Sequence, residues 1–345
     1  MSHKSLSAPR AERRRLLLAA GAGALGLSLP RFAAAQAKIV CRIAHSEAIG
    51  SPITVAFDKF TAALRDRSGG RIDAQHFPAG QLGNYTQLIE QSRIGTIQIT
   101  AGGPDTEEAV APEIAVAAGA PGFMYKDEAH ADRVLQGAIG QEISAIARKK
   151  TGVEFVAYGE VGFRHLLSKR PVSKLEDLKG LKIRTPELRL WVDFWKKLGA
   201  NPTPLPYAEQ YSALSTGVID GLEADYFSIV GFKWYEQAKH LTLTGHWFLP
   251  KAVRINGAWL DGLPADLQKV VRDSAREIFA EQRTINRAKA DEALAQLEKA
   301  GTVVHRLSDA EKQRWMAATA PLFDEFGGKS PETKAMIAKI TALRG

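Results

Sequence analysis

Arg184 closes a short apolar run, Leu181–Arg184, and stands directly before Thr185-Pro186, a pair able to open a helix. Ligands of open parallel sheets bind beyond the carboxyl ends of the strands, where helix N-termini gather and favour anions. A guanidinium placed there can take a carboxylate in a two-pronged contact. The plainer alternative is a surface ion pair with Glu187 or Asp220. Two further segments fit the same geometry. Gly80–Asn84 follows one strand-like run and opens a helix, and Ala101–Pro104 follows another with glycines that allow close approach. Groups for bond-breaking chemistry are scarce. The eight histidines are scattered without metal-ligand spacing, and the sequence beyond its first segment holds no G-x-S-x-G, H-E-x-x-H or P-loop. Cys41 is the one cysteine, so no internal disulfide forms, and its apolar surroundings mark it as a core residue. Glu209, Asp220 and Gly221 read as helix-start charge, cap and turn, Trp191 and Trp195 as a buried helical stripe, and His246-Trp247 equally as cleft wall or core.

The chain has 345 residues, 45% hydrophobic and 24% charged, an ordinary globular balance sufficient for about two domains. Its net charge of +8 is concentrated at one end. Residues 1–35 hold six basic side chains against the single acid Glu12, so the remainder is near +3. A nucleic-acid partner, which a basic chain would suggest, is therefore not expected. Arg13-Arg14-Arg15, the apolar run Leu16–Leu27, and Ala33-Ala34-Ala35 follow the charged, apolar, small-residue order of a secretory signal peptide, cleaved after Ala35 or Ala37. The paired arginines before leucines resemble a twin-arginine export signal; an ordinary secretory signal with a rich basic start is the alternative. The run is short of the roughly 20 residues of a membrane span, and no later stretch is long enough, so a soluble mature protein in the periplasm is expected. Gly21-Ala-Gly23-Ala-Leu-Gly26 matches the dinucleotide fingerprint only formally, since it lies inside this export segment.

The elements that position these residues alternate. Lys38–Ala44, Arg71–His76 and Thr96–Thr100 read as strands. Between them, Ser51-Pro52 starts a helix with the stripe Ile53, Phe57, Phe60 and Leu64, and Asn84 caps a second helix through Arg93. Val153–Tyr158, Arg164–Ser168, Leu181–Arg184, Asn201–Leu205 and Ala252–Trp259 are strand-like. A helix beginning at Thr185-Pro186 carries Leu188, Trp191, Trp195 and Leu198, and another runs over Tyr207–Thr216. Such alternation predicts a mostly parallel α/β sheet with covered faces. Pro264 to Ala300 contains no internal Gly or Pro. Unbroken, it would form a helix about 50 Å long, enough to brace two domains. No flexible linker separates the halves, so the chain is expected to cross between domains more than once.

Three segments taken together closely resemble the TRAP-type solute-binding proteins, receptors of tripartite ATP-independent periplasmic transporters. They are Leu175–Pro186 with its strand–Arg–x–Pro ending, Leu198–Pro206, and Glu209–Glu223 with its T-G-x-x-D-G element. Phe77–Gly83 and Leu263–Val271 extend the resemblance over nearly the whole mature chain. It implies an α/β fold of two-lobed periplasmic-binding-protein architecture, with a hinge, a ligand cleft between lobes and a long bracing helix. After the signal peptide at 1–35, lobe I would comprise 36–161 plus about 250–290, and lobe II 162–249 plus about 291–345. It further implies that Arg184 holds a ligand carboxylate and that Arg164 is the second arginine of the site. Tyr207 would pack on the ligand, His45 would contribute a polar contact, and Asn84 and Tyr85 would make variable contacts. Some sialic-acid receptors of the family carry a ligand-binding asparagine after D-G-x-E. Ala224 stands there, which weakens that ligand, and Asp225 or Tyr226 would supply the contact. The expected function is periplasmic capture of a small carboxylate-containing organic acid by domain closure and its delivery to a membrane-embedded TRAP permease, without metal or cofactor. An exported hydrolase acting on an acidic small molecule is the alternative; it would need a nucleophile–base pair or a metal constellation, and the sequence offers arginines and aromatics instead.

Overall fold

The computed structural model describes residues 37–345, of which Lys38–Gly345 form one compact unit; the export-signal expectation lies outside the described residues. Among the described residues nine strands form one sheet: β1 (Ile39–Ala44), β2 (Ile72–Phe77), β3 (Ile99–Gly102), β4 (Val153–Ser168), β5 (Lys182–Thr185), β6 (Asn201–Pro204), β7 (Gly221–Ala224), β8 (His240–Asn256) and β9 (Val303–Arg306). Their order is β2-β1-β3-β8-β4-β7-β5-β6, with β9 on β8. The pairs β1/β2, β1/β3, β5/β6, β5/β7 and β8/β9 are parallel, as alternation with helices predicts. The centre is not: β8 lies antiparallel to both β3 and β4, and β4 antiparallel to β7.

β4 and β8 correct the sequence reading. Val153–Tyr158 and Arg164–Ser168 are not two strands but parts of one 16-residue strand. Likewise β8 has 17 residues and ends before Trp259, which lies in a short helix. The shared ladder breaks register at Phe155/Ala157, Glu160/Gly162 and Arg164/Leu166. Gly162 sits at the middle break with φ of 87°, a conformation that suits glycine. These two strands therefore run from the β1–β3 half of the sheet into the β5–β7 half and bend where they cross.

The long helix forms as predicted, Ala265–Lys299, 35 residues and about 50 Å. It grips the crossing strand: the Gln282 carboxamide accepts from Glu160 N (2.9 Å) and donates to Glu160 O (2.8 Å). Arg287 adds Glu160 (2.7 Å) and Asp132 (2.6 Å). Toward the β1–β3 half, Phe279 meets Phe57 with ring centroids 4.7 Å apart, and Ile53, Phe57, Phe60 and Leu64 are all buried, as their spacing requires. A second core under the β5–β7 half gathers Leu214, Ile229, Trp234 and Leu241.

Local caps appear where the sequence places them: Ser51 caps Pro52–Arg67, and Asn84 forms a capping box with Gln87 on Tyr85–Ile94. One helix start differs. Thr185-Pro186 does not begin the helix, which runs over Arg189–Lys197. Its first N–H groups, those of Arg189 and Leu190, donate to the Glu108 carboxylate (3.0 Å each), so an acid some eighty residues earlier in the chain satisfies the orphan donors. Strand β3 begins at Ile99, not Thr96, because residues 96–98 bend and the Gln98 side chain accepts from Arg42 N (2.8 Å).

Candidate cleft site

Arg184 lies in β5, level with Thr203 of β6 and Leu222 of β7, and its side chain is buried. Nε and Nη2 donate to Leu205 O at 3.0 and 2.8 Å, and the guanidinium stands 5.4 Å from the Tyr207 ring centre. Among the described residues no carboxylate comes within 4.0 Å of it, which removes the ion pair with Glu187 or Asp220; Asp220 instead accepts from Lys182 N (3.0 Å). Burial pulls its pKa down to about 10, with Glu223 pulling the other way, so it is cationic at neutral pH. Leu205 holds one edge of the fork, and among the described residues Nη1 has no hydrogen-bond partner.

Arg164 has the opposite character. The antiparallel β4/β7 ladder sets Leu166 opposite Glu223 and His165 opposite Ala224. Arg164 thereby reaches Glu223 with Nε and with Nη2 (3.1 Å to the carboxylate, 2.7 Å to the carbonyl), while Nη1 lies 3.6 Å from Asp225. Burial opposes its charge, but these carboxylates outweigh it and raise its pKa. Its charge is compensated inside the fold.

Both arginines line a small cavity of about 50 Å³ together with Tyr85, Tyr207 and Glu223. The lining also includes Ser46, Glu47, Asp105, Trp191 and Lys251, with the Arg164 guanidinium 5.6 Å from the Trp191 ring centre. Lys251 and Glu47 form a buried ion pair at 2.6 Å, with the ammonium 5.4 Å from the Tyr85 ring centre. The Tyr85 hydroxyl accepts from Gly103 N. Trp191 donates its indole N–H to Asp105 Oδ2 (2.8 Å) and stacks on Trp247 at 3.9 Å. Asp105 Oδ1 and Ser46 Oγ are buried with no hydrogen-bond partner among the described residues. Burial raises the pKa of Asp105, the Trp191 bond lowering it less. A larger groove of about 670 Å³, between β4, the helix Ala138–Thr151 and the long helix, is open and lies apart from both arginines; the cleft is the candidate because its charged groups are desolvated.

Four of the eight residues named from sequence meet in this cavity: Arg184, Arg164, Tyr207 and Tyr85. The others lie outside its lining. His45 is fully buried behind it, with Nδ1 accepting from Glu47 N (3.2 Å) and Nε2 against His76 Nε2 (2.8 Å). Asn84 is occupied as a helix cap. Asp225 caps the helix Tyr226–Gly231, accepting from Ser228 N (2.9 Å) and Oγ (2.7 Å). Tyr226 stacks on His165 at 4.8 Å in a separate groove. Sequence reasoning missed Ser46, Glu47, Asp105 and Lys251 as cleft residues. Glu223 was present only as the last letter of the D-G-x-E element, and Trp191, read as core, is both core and wall. Asp105 follows the glycines of Ala101–Pro104, which was its one available signal. His246 is wholly buried at 3.8 Å from Glu223, Cys41 is buried and inert, its thiol pKa raised by burial, and no cluster of three metal-ligating side chains occurs among the described residues.

The cleft thus joins a buried guanidinium that has no carboxylate within 4.0 Å among the described residues to aromatic walls and two bending strands. The model of the bacterial extracellular solute-binding proteins, family 7 (DctP), matches residues 43–329, and the chain belongs to that family, the solute-binding proteins of TRAP-type transport systems. It is a receptor and not an enzyme. A solute-binding protein of Verminephrobacter eiseniae is 36% identical over 85% of this chain and 87% of its own length. The 2,3-diketo-L-gulonate-binding periplasmic protein of Escherichia coli is 36% identical over 67% of this chain and 70% of its own. Among solved structures, a TRAP periplasmic solute-binding protein of Xanthobacter autotrophicus with bound β-D-galacturonate superposes with a TM-score of 0.82 at 33% identity, covering 88% of this chain and 99% of its own. These relatives share the two-lobed α/β fold. No helix among the described residues is long and apolar enough to cross a membrane.

Proposed function

We propose that this protein is exported on a twin-arginine signal to the periplasm, where it encloses a small organic acid between two lobes and delivers it to the membrane-embedded permease of a TRAP transporter. The lobes are 36–161 plus about 250–290, and 162–249 plus about 291–345; β4, β8 and the long helix each cross that division. Hinge closure of this kind moves strand crossings rather than cores. The observation that carries the reading is Arg184, a buried arginine lining the cavity with no carboxylate within 4.0 Å among the described residues. A buried cation without compensation is costly, and a ligand carboxylate supplies the missing charge. Arg164 serves differently: tied to Glu223, it holds the cleft wall and contributes field rather than a free charge.

The test is a thermal-shift screen of the mature chain against organic acids, without added metal or nucleotide. A true ligand at 100 times its Kd stabilises by about 2.7 kcal/mol, and small-angle scattering should show compaction on saturation. Stabilisation by no acid of the panel would remove the receptor reading. An unchanged radius of gyration with a bound acid would remove the hinge.

A further inference from the structure

His45, expected to contribute a polar contact, sits one step behind the cleft wall at the head of a hydrogen-bonded chain. Its Nδ1 accepts from Glu47 N at 3.2 Å. Its Nε2 lies 2.8 Å from His76 Nε2, and His76 Nδ1 lies 2.8 Å from Asp58 Oδ1. The chain thus runs from Glu47, which lines the cavity in its pair with Lys251, through the ends of β1 and β2 to an exposed carboxylate on the helix Pro52–Arg67. The same stretch is knit to the turn after β2, where Gly80 N donates to His45 O (2.9 Å) and Ala79 N to Glu47 O (3.2 Å).

With both rings neutral, one arrangement of protons satisfies this chain. A backbone N–H can only donate, so His45 Nδ1 is bare and its proton sits on Nε2. His76 Nε2 must then accept, which leaves the His76 proton on Nδ1, directed at Asp58. Every ring nitrogen is engaged, so an added proton finds no vacant site. On His76 Nε2 it would face the His45 N–H, and on His45 Nδ1 it would face the Glu47 N–H. Either way one bond of the chain becomes a contact between two donors. Burial opposes a charge on both rings and holds both pKa values below the usual histidine range. His76 and then Lys251 of β8 add to this at His45, while Asp58 works against it at His76.

We propose that the His45–His76–Asp58 chain positions Glu47 beside Lys251 on the cleft wall and makes ligand binding proton-sensitive, so that the cleft holds its acid near neutral pH and releases it more readily in acid. The proposal rests on the enclosure of the ligand proposed above. Enclosure desolvates Lys251 and Glu47 next to the pair. An open cleft hydrates both and lets the pair accept a proton at less cost. The bound state therefore takes up a proton less readily than the free one. Affinity is complete above the ordinary histidine pKa of about 6.5 and falls below it.

Nitrogen-15 NMR of the mature protein without ligand reads the chain itself. At pH 7.5, His45 should carry its proton on Nε2 and His76 on Nδ1. The Glu47 amide should shift as the pair titrates toward pH 5, and in His76→Gln it should no longer follow that titration. Calorimetry with D-galacturonate as probe reads the cleft. Wild type should bind it about tenfold more weakly at pH 5 than at pH 7.5, and His76→Gln should show a change of less than about threefold. Asp58→Asn, which removes the charge that favours a proton on His76, should move the wild-type loss to lower pH. A His45 proton found on Nδ1, or a Glu47 amide that ignores the pair, overturns the proposal. So does an acid loss of affinity equal in wild type and His76→Gln. If His76→Gln fails to fold, Asp58→Asn takes its place, and an unmoved midpoint overturns the proposal. If wild type does not bind D-galacturonate at pH 7.5, the Glu47 amide alone decides. Bound D-galacturonate without compaction in small-angle scattering removes the enclosure reading instead, whatever the imidazoles show.

Discussion

Arg184→Ala should abolish useful affinity for the acid that the cleft holds. Arg184 is 4% exposed and has no carboxylate within 4.0 Å among the described residues, so a ligand carboxylate would meet a largely desolvated charge. Removing one partner of such a buried pair costs about 2–5 kcal/mol, a loss of roughly 30- to 4,000-fold in Kd. Arg164 cannot substitute, since Glu223 and Asp225 already absorb its charge. The upper half of the range is therefore expected. Truncation also takes both donors from the Leu205 carbonyl, which should cost folding stability of about 1–3 kcal/mol, so the variant must be shown to be folded. Arg184→Lys keeps the charge, but its single ammonium must choose between Leu205 and the ligand. It should bind more weakly than wild type and more tightly than alanine. Calorimetry on folded variants with the tightest acid of the screen measures all three. Binding of Arg184→Ala within about threefold of wild type, less than roughly 0.7 kcal/mol, would refute the argument that this cation is the carboxylate clamp.

Arg164→Ala should fail by unfolding rather than by affinity. It strands Glu223 and Asp225 in the interior, a cost of about 3–5 kcal/mol, and a denaturation midpoint equal to wild type would contradict that. His165 gives a pH dependence. Burial, then the charge of Arg164, lower its pKa to about 3, so the folded state takes its proton less readily than the unfolded chain. Its stabilising contribution is complete above the unfolded value near 6.5 and is lost toward pH 3, about 2 kcal/mol between pH 6.5 and 5. Wild type should therefore lose that much relative to His165→Gln on acidification, as measured by urea unfolding at pH 7.5 and 5; parallel losses would dispose of the assignment. Changing Arg13 and Arg14 together to Lys should strand the precursor in the cytoplasm, and fractionation showing normal export would exclude the twin-arginine route.

Elements governed by near neighbours were legible in the sequence. Ser51 and Asn84 cap their helices through bonds to backbone N–H groups three residues ahead, the Ile53–Leu64 stripe has the helical period, and the run after Pro264 lacks anything that would break it. Arg184 announced itself by standing near a strand end two residues before a proline, although the strand runs one residue further, to Thr185, and the motifs around it carried the family. These signals are local, each carried by a contiguous stretch of the sequence.

The tertiary structure decided which charges are spent and which remain available. In sequence, Arg164 and Arg184 are equivalent arginines on strands. Only the antiparallel seating of β7 against β4 brings Glu223 to Arg164 across 59 positions and leaves Arg184 with a carbonyl. The same holds for Asp105 with Trp191, 86 positions apart, and for Glu108 capping the helix that begins at Arg189. The long strands were equally hidden, because a bulge at Gly162 interrupts their alternation while the ladder continues through it. Side-chain type and local spacing specify what a residue can do. Its charge state and its freedom to meet a ligand depend on partners that only tertiary packing brings within reach.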